Sequence, residues 1–115
     1  MKPNIPKELE DLIDEKIYLD LEIHILNTKL NKLNEKKDND RITFFEKKLG
    51  DKFKERKKVN DQLRKEKVTI YSPINDDMFV QYDFSIKTNG GYKEGNFRYW
   101  KSAIKYKLNQ RLNTK

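Results

Sequence analysis

From Pro6 to Lys37 the apolar positions recur at helical spacing. Leu9, Leu12, Leu19, Ile23, Leu26, Leu30 and Leu33 alternate at steps of three and four, with Lys16 in the one polar gap. That is the seam of a coiled coil. Pro6 suits a first helical turn, and Glu8, Glu10 and Asp11 suit the positive end of the helix dipole. A second row, Ile13, Ile17, Leu21 and Ile25, runs beside the seam at steps of four. One partner helix does not cover both rows, so this second row is the expected interface of an oligomer. Lys36-Lys37-Asp38-Asn39-Asp40 holds no apolar residue and reads as a tight connection, with Asn39 or Asp40 as the next N-cap. A second helix follows over about 41–65, where Ile42, Phe45, Leu49, Val59 and Leu63 continue the seam around Lys52 and Arg56. Folded antiparallel about residue 38, this hairpin sets Leu33 near Ile42, Leu26 near Leu49, Leu12 near Leu63, Lys16 near Val59 to Asp61 and Arg56 near Leu19 and Asp20.

The pattern changes at Val68. Val68-Thr69-Ile70-Tyr71 is β-branched and aromatic, and Ser72-Pro73 ends it. Asn75-Asp76-Asp77 reads as a turn. Met78, Val80, Tyr82, Phe84 and Ile86 then alternate strictly with Phe79, Gln81, Asp83, Ser85 and Lys87, which predicts a strand. Asn89-Gly90-Gly91 and Gly95 break the chain. A last helix is predicted from Asn96, with Phe97, Trp100, Ala103, Ile104, Leu108 and Leu112 on one face and a frayed end at Asn113-Thr114-Lys115. The expected fold is α+β and mostly helical: an antiparallel coiled-coil hairpin over 1–66, then a two-stranded β-ribbon and a C-terminal helix over 67–115, in one compact unit. A two-stranded ribbon alone is marginal, so burial by self-association is expected.

Composition narrows the chemistry. The 115 residues include 26 Lys and Arg against 19 Asp and Glu, a net charge of +7. No apolar run is long enough for a spanning helix, and no N-terminal stretch has the form of a secretory signal, so no membrane and a cytoplasmic place are expected. Cysteine is absent, which excludes disulfides, thiol catalysis and Cys-ligated metal sites. Only five of the basic residues are Arg, a profile of an A+T-biased gene, and the Lys count is in part solvated surface. Residues 1–27 hold three basic and seven acidic residues, whereas residues 28–68 hold fifteen basic and eight acidic. The charge therefore argues first for how an acidic helix pairs with a basic one, and second for a polyanion.

Candidate chemistry is sparse. His24 has no nucleophile or triad carboxylate at short range and reads as a surface or interface histidine. Asn75, Asp76, Asp77 and Asp83 lack EF-hand spacing and read as a solvated turn. No P-loop, dinucleotide fingerprint or nucleophile elbow is present, so no enzyme, cofactor or metal is expected. Tyr92, Asn96, Arg98, Tyr99, Lys101 and Lys105 form the most function-like group. Cations and aromatics gather there around a predicted helix start, fit for an anionic ligand or a protein hot spot. Phe97 and Trp100 equally fit core positions. Lys47, Lys54, Lys57 and Lys58 form a basic stripe that, with Arg98 and Lys101, would track phosphates.

The length, the cysteine-free A+T-biased composition and the lack of catalytic motifs resemble the small proteins carried by phages and other mobile elements of low-GC bacteria. The expected function is that of a non-enzymatic, oligomeric binding protein that inhibits, regulates or sequesters a host protein or a small anionic ligand. The alternative is a basic DNA- or RNA-binding protein acting through its second and last helices.

Overall fold

The two seams form two long helices, α1 (Lys7–Lys36) and α2 (Asn39–Lys65). The computed structural model describes residues 5–113, so Thr114 and Lys115 of the expected frayed end lie outside the described residues. Lys37 stops α1 in the left-handed conformation at φ 57°, and its N–H returns to the carbonyls of Asn34 and Leu33. The cap of α2 is Asp38, one residue earlier than expected, whose Oδ1 accepts from the Arg41 N–H. The antiparallel register follows the seam. Leu26 and Leu49 share one apolar cluster, while Val59 and Leu63 meet Ile13, Ile17 and Leu19 in another. Arg56 reaches Asp20 across the hairpin at 3.1 Å. Lys16 takes its carboxylate from its own helix, pairing at 2.9 Å with Asp20, and Asp61 pairs with Lys57 and Arg64.

The described residues next form a four-stranded antiparallel sheet: β1 (Val68–Ile70), β2 (Ile74–Asn75), β3 (Phe79–Thr88) and β4 (Gly91–Trp100). The expected two-stranded ribbon is thus replaced by a fuller sheet. β3 is central, and β4 pairs with it along its whole length, from Thr88 opposite Gly91 to Phe79 opposite Trp100. β1 and β2 share the other side of β3, with Val68 opposite Ile86 and Ile74 opposite Gln81. Between these pairs the outer strand carries one residue more than β3, so Tyr71–Pro73 forms a bulge where Pro73 has no N–H to give. The predicted helix start at Asn96 is corrected here. Asn96 to Trp100 are strand, and α3 (Lys101–Asn113) begins five residues later. Phe97 and Trp100 matched a helical spacing, yet Asn89-Gly90 closes a two-residue hairpin that carries the chain straight back along β3.

The helices cover one face of the sheet. Phe84, only 1% exposed, sits among Ile13, Ile17, Leu19, Val59 and Leu63, and Val80 packs with Tyr18, Ile104 and Leu108. Burying a side chain of this size contributes about 1.5–3 kcal/mol. Ile13 and Ile17 are therefore fully buried under the chain's own sheet, and Leu21 and Ile25 pack at the edges of the same clusters. Ile13 and Ile17 of the row expected to join two chains are thus covered within one chain, by Val59 and Leu63 of α2 and by the sheet around Phe84, while Leu21 and Ile25 stay half-buried.

α3 is held mainly by charge. It buries only Ile104 and Leu108. Arg111 forks Glu15 with two bonds of 2.8 Å, and its Nε and Nη2 reach Glu22 Oε1 at 2.9 and 2.6 Å. Glu22 is wholly buried. Its Oε2 accepts no hydrogen bond among the described residues, and Lys52 Nζ of α2, at 3.0 Å, supplies the counter-charge. Lys48 Nζ donates to the Leu112 carbonyl near the end of α3. One buried carboxylate thus ties all three helices. Arg111→Ala strands it and is expected to cost about 3–5 kcal/mol in urea unfolding. Lys107→Ala, which breaks a half-exposed pair with Asp14, is expected to cost about 0–1 kcal/mol.

Candidate functional site on the open face of the sheet

Every sheet residue in the apolar clusters belongs to one face: Val68, Ile70, Val80, Tyr82, Phe84, Ile86, Phe97 and Tyr99. The intervening residues define the other face, on which no helix of the described residues packs. Directly opposite side chains share a face, so the pairs Phe79–Trp100, Gln81–Arg98, Asp83–Asn96, Ser85–Glu94 and Lys87–Tyr92 lie together. Tyr71 joins them, because its N–H donates to the Asp83 carbonyl and its hydroxyl lies 3.0 Å from Ser85 Oγ.

This face is unusually aromatic for a surface. Phe79 and Trp100 contact at 4.4 Å between ring centroids, and the Arg98 guanidinium lies 4.1 Å from the centre of the Phe79 ring. Cation and ring attract here through the ring quadrupole. Trp100 is 52% exposed, Tyr92 70%, Tyr71 52% and Ile74 57%. Asp76 sets the corner next to this patch. Its Oδ1 accepts from the Met78 and Phe79 N–H groups, and its Oδ2 faces Arg98 at 3.5 Å. The Phe79 backbone bond is the main reason its carboxyl is held below the usual carboxylate range. Beside the patch, Tyr71, Asp83, Glu94 and Asn96 rim a shallow basin of about 450 Å³ with Phe84 and Gly95 beneath. Lys87 and Arg98 share this face with Asp83 and Glu94, so it has no strong net charge.

Three of the six sequence-selected residues come together here: Tyr92, Asn96 and Arg98. The other three do not. Tyr99 points into the core, where its hydroxyl donates to Asp14 Oδ1 at 2.7 Å and its ring meets Tyr18 and Tyr82 edge-on. Lys101 and Lys105 stand exposed on α3. The Lys101 N–H is already bound to the Met78 carbonyl, so the expected anion site at a helix start near Asn96 is not formed. The basic stripe lies on another side of the molecule. Lys47, Lys54, Lys57 and Lys58 are exposed on α2, and Lys57 pairs with Asp61. Near Lys47 a groove of about 600 Å³ opens between α1, α2 and the end of α3, floored by Leu26, Phe44, Phe45 and Leu112. Sequence reasoning set Phe79 among the polar alternate positions of the strand but did not join it to a candidate site. Its place opposite Trp100 depends on a pairing that the helix assignment had hidden.

The fold and site together define a class of protein: an antiparallel helical hairpin and a short charged helix over one face of an antiparallel sheet, with the other face open and aromatic. The family model described as YhjD protein matches residues 4–114, which runs through hairpin, sheet and last helix alike. The protein YhjD of Bacillus subtilis (strain 168) is 30% identical over 113 residues, covering 96% of this chain and 91% of that one. The chain belongs to the YhjD family. No solved structure matches it. No described helix is long and apolar enough to cross a membrane.

Three tyrosines and one glutamate frame the stability of this scaffold. Burial, and then the bond to Asp14, hold the Tyr99 phenol well above its ordinary range. Tyr18 and Tyr82 shift the same way by burial. An unfolded phenol ionises near pH 10, so the unfolded chain releases these protons first and stability falls as pH rises past about 10. Glu15 moves oppositely: the Arg111 hydrogen bond lowers its carboxyl from the ordinary 4.5. Its contribution is present above about pH 4.5 and is lost as pH falls through the folded value. The melting temperature followed by circular dichroism should show a plateau between those limits. Tyr99→Phe should flatten the alkaline limb, and Arg111→Ala the acid one.

Proposed function

We propose that this protein is a non-enzymatic binding module whose contact surface is the open face of the sheet, and that its partner is a protein. The observation that carries the reading is the exposed Trp100 packed on a half-buried Phe79, with Arg98 set against it. Trp, Tyr and Arg are the residues that dominate protein–protein binding energy, above all on rigid elements where little side-chain freedom is lost. Here they stand on two paired ten-residue strands. The balanced charge of the face favours a protein over a polyanion, which would need a cationic surface. Tyr92 and Asn96 extend the contact along β4, and Tyr71 extends it across the sheet.

Affinity capture from the native host, with wild type and an Arg98→Ala/Trp100→Ala double variant as matched baits, tests this. A protein held by wild type, resistant to nuclease and lost with the variant, is the expected outcome. A partner retained equally by both baits defeats the reading.

Nucleic acid binding through α2 is the second reading. Lys47, Lys54 and Lys58 are exposed and pair with no carboxylate among the described residues. It requires a clear DNA or RNA gel shift at roughly 50 mM salt, lost on changing Lys54, Lys57 and Lys58 to Glu. No shift at that salt removes it.

A further inference from the structure

The two edges of the sheet differ. On one, β1 and β2 are short and interrupted by the bulge at Tyr71–Pro73, the ordinary way to blunt an edge. On the other, β4 runs ten residues in unbroken register with β3, holds no proline, and pairs with no further strand among the described residues. Its outward backbone groups can be identified. Thr88 and Gly91 close a two-residue hairpin, and the Lys101 N–H donates to the Met78 carbonyl in the same register. Odd-numbered residues of β4 therefore bond to β3, and Tyr92, Glu94, Asn96, Arg98 and Trp100 turn their N–H and C=O groups to the free edge.

We infer that a second copy of this chain pairs with that edge, β4 against β4 in antiparallel fashion about a two-fold axis at Asn96. Such an axis stands perpendicular to the sheet and keeps the open faces on one side, so even-numbered residues face even-numbered residues. Centred on Asn96, the register sets Glu94 against Arg98 of the partner subunit, and Arg98 against Glu94 of the partner subunit. Tyr92 meets Trp100 of the partner subunit, an aromatic pair made twice by symmetry. On the helix-covered face Gly95 meets Phe97 of the partner subunit, an aromatic ring over a glycine. Moving the register by one pair destroys this. In one direction Glu94 faces only an Asn and Arg98 faces Tyr92 of the partner subunit. In the other, Glu94 faces Trp100 of the partner subunit and the charges part. The strand reads Tyr-x-Glu-x-Asn-x-Arg-x-Trp, which is self-complementary when reversed. The dimer joins two open faces into one eight-stranded sheet. It does not depend on which partner that face binds.

Sedimentation equilibrium at micromolar concentration, with circular dichroism on every variant to establish folding, tests the dimer. Wild type is expected at twice the chain mass. Glu94→Arg places two cations face to face at both symmetric positions and should weaken the dimer about tenfold or more. The exchange Glu94→Arg/Arg98→Glu should restore it. Because the chain has no cysteine, single cysteines report the register. Facing Cα atoms in a bonded pair lie about 5.5 Å apart, within disulfide reach, so Asn96→Cys should cross-link under mild oxidation. Glu94→Cys, whose own copy lies about 13 Å along the strand, should not. A wild-type monomer overturns the inference. So does a dimer in which Asn96→Cys stays uncoupled, or in which the charge exchange fails to restore association of a folded variant.

Discussion

The buried Glu22 carboxylate constrains the whole arrangement. A charge with no solvent exposure costs several kcal/mol unless counter-charges sit against it, and here they come from two directions, Arg111 on α3 and Lys52 on α2. Neither alone neutralises both oxygens in good geometry. α3 has little apolar surface to offer, so Arg111 supplies most of the specific contacts that decide where it rests along α1, with Lys107 on Asp14 and Lys48 on the Leu112 carbonyl adding to them. The fork on Glu15 adds direction, since a guanidinium meets a carboxylate edge-on in one plane. Charge thus does for α3 what seam packing does for the hairpin.

That placement reaches the sheet through Tyr99 and Tyr18. Tyr99 bonds Asp14 of α1, Lys107 of α3 holds the other oxygen of the same carboxylate, and Lys107 lies 4.5 Å from the Tyr18 ring centre. β4 is therefore clamped on its inner face by α1, the helix against which α3 is also held. Its outer residues, Arg98 and Trp100, flank this anchored tyrosine in sequence. A contact surface on a strand held this way loses little freedom on binding, which is where many surface loops spend their affinity.

Much of the hairpin was legible because its information is local. The three-and-four seam states both helices, and folding it antiparallel about residue 38 anticipated Arg56 against Asp20. β4 was illegible for a physical reason. Gly90, Gly91 and Gly95 weaken any strand signal, and Phe97, Trp100, Ile104 and Leu108 fall at helical steps across what is really a strand–helix boundary. The usable clue was Asn89-Gly90 next to the strict alternation of 78–87, the strongest short-range hairpin signal. The Glu22 network carried no such clue. Glu22 and Arg111 are 89 residues apart, and a buried ion pair writes polar letters that a pattern assigns to solvent. The same error made Ile13 and Ile17 look like surplus apolar surface, since the layer that covers them contains the strand that was missed.

One geometric fact unites the candidate site and the free edge. Along a strand, side chains alternate between faces with the same period as backbone groups alternate between edges. In β4 the phase is set by the two-residue turn. The residues whose side chains reach the open face, Tyr92, Glu94, Asn96, Arg98 and Trp100, are the ones whose amides and carbonyls point outward. A one-residue shift of register would have kept the strand and this coupling but exchanged the two sets, sending Tyr92, Arg98 and Trp100 to the core face with their backbone groups bonded to β3, and Phe97 and Tyr99 to the open face with theirs turned outward. Asn89-Gly90 therefore does more than join two strands. It selects which half of β4 is buried, which half is displayed, and which backbone groups remain available to a further strand. The surface chemistry of the sheet and its capacity to extend are consequences of one two-residue loop, so neither can be altered by shifting the register of β4 without altering the other.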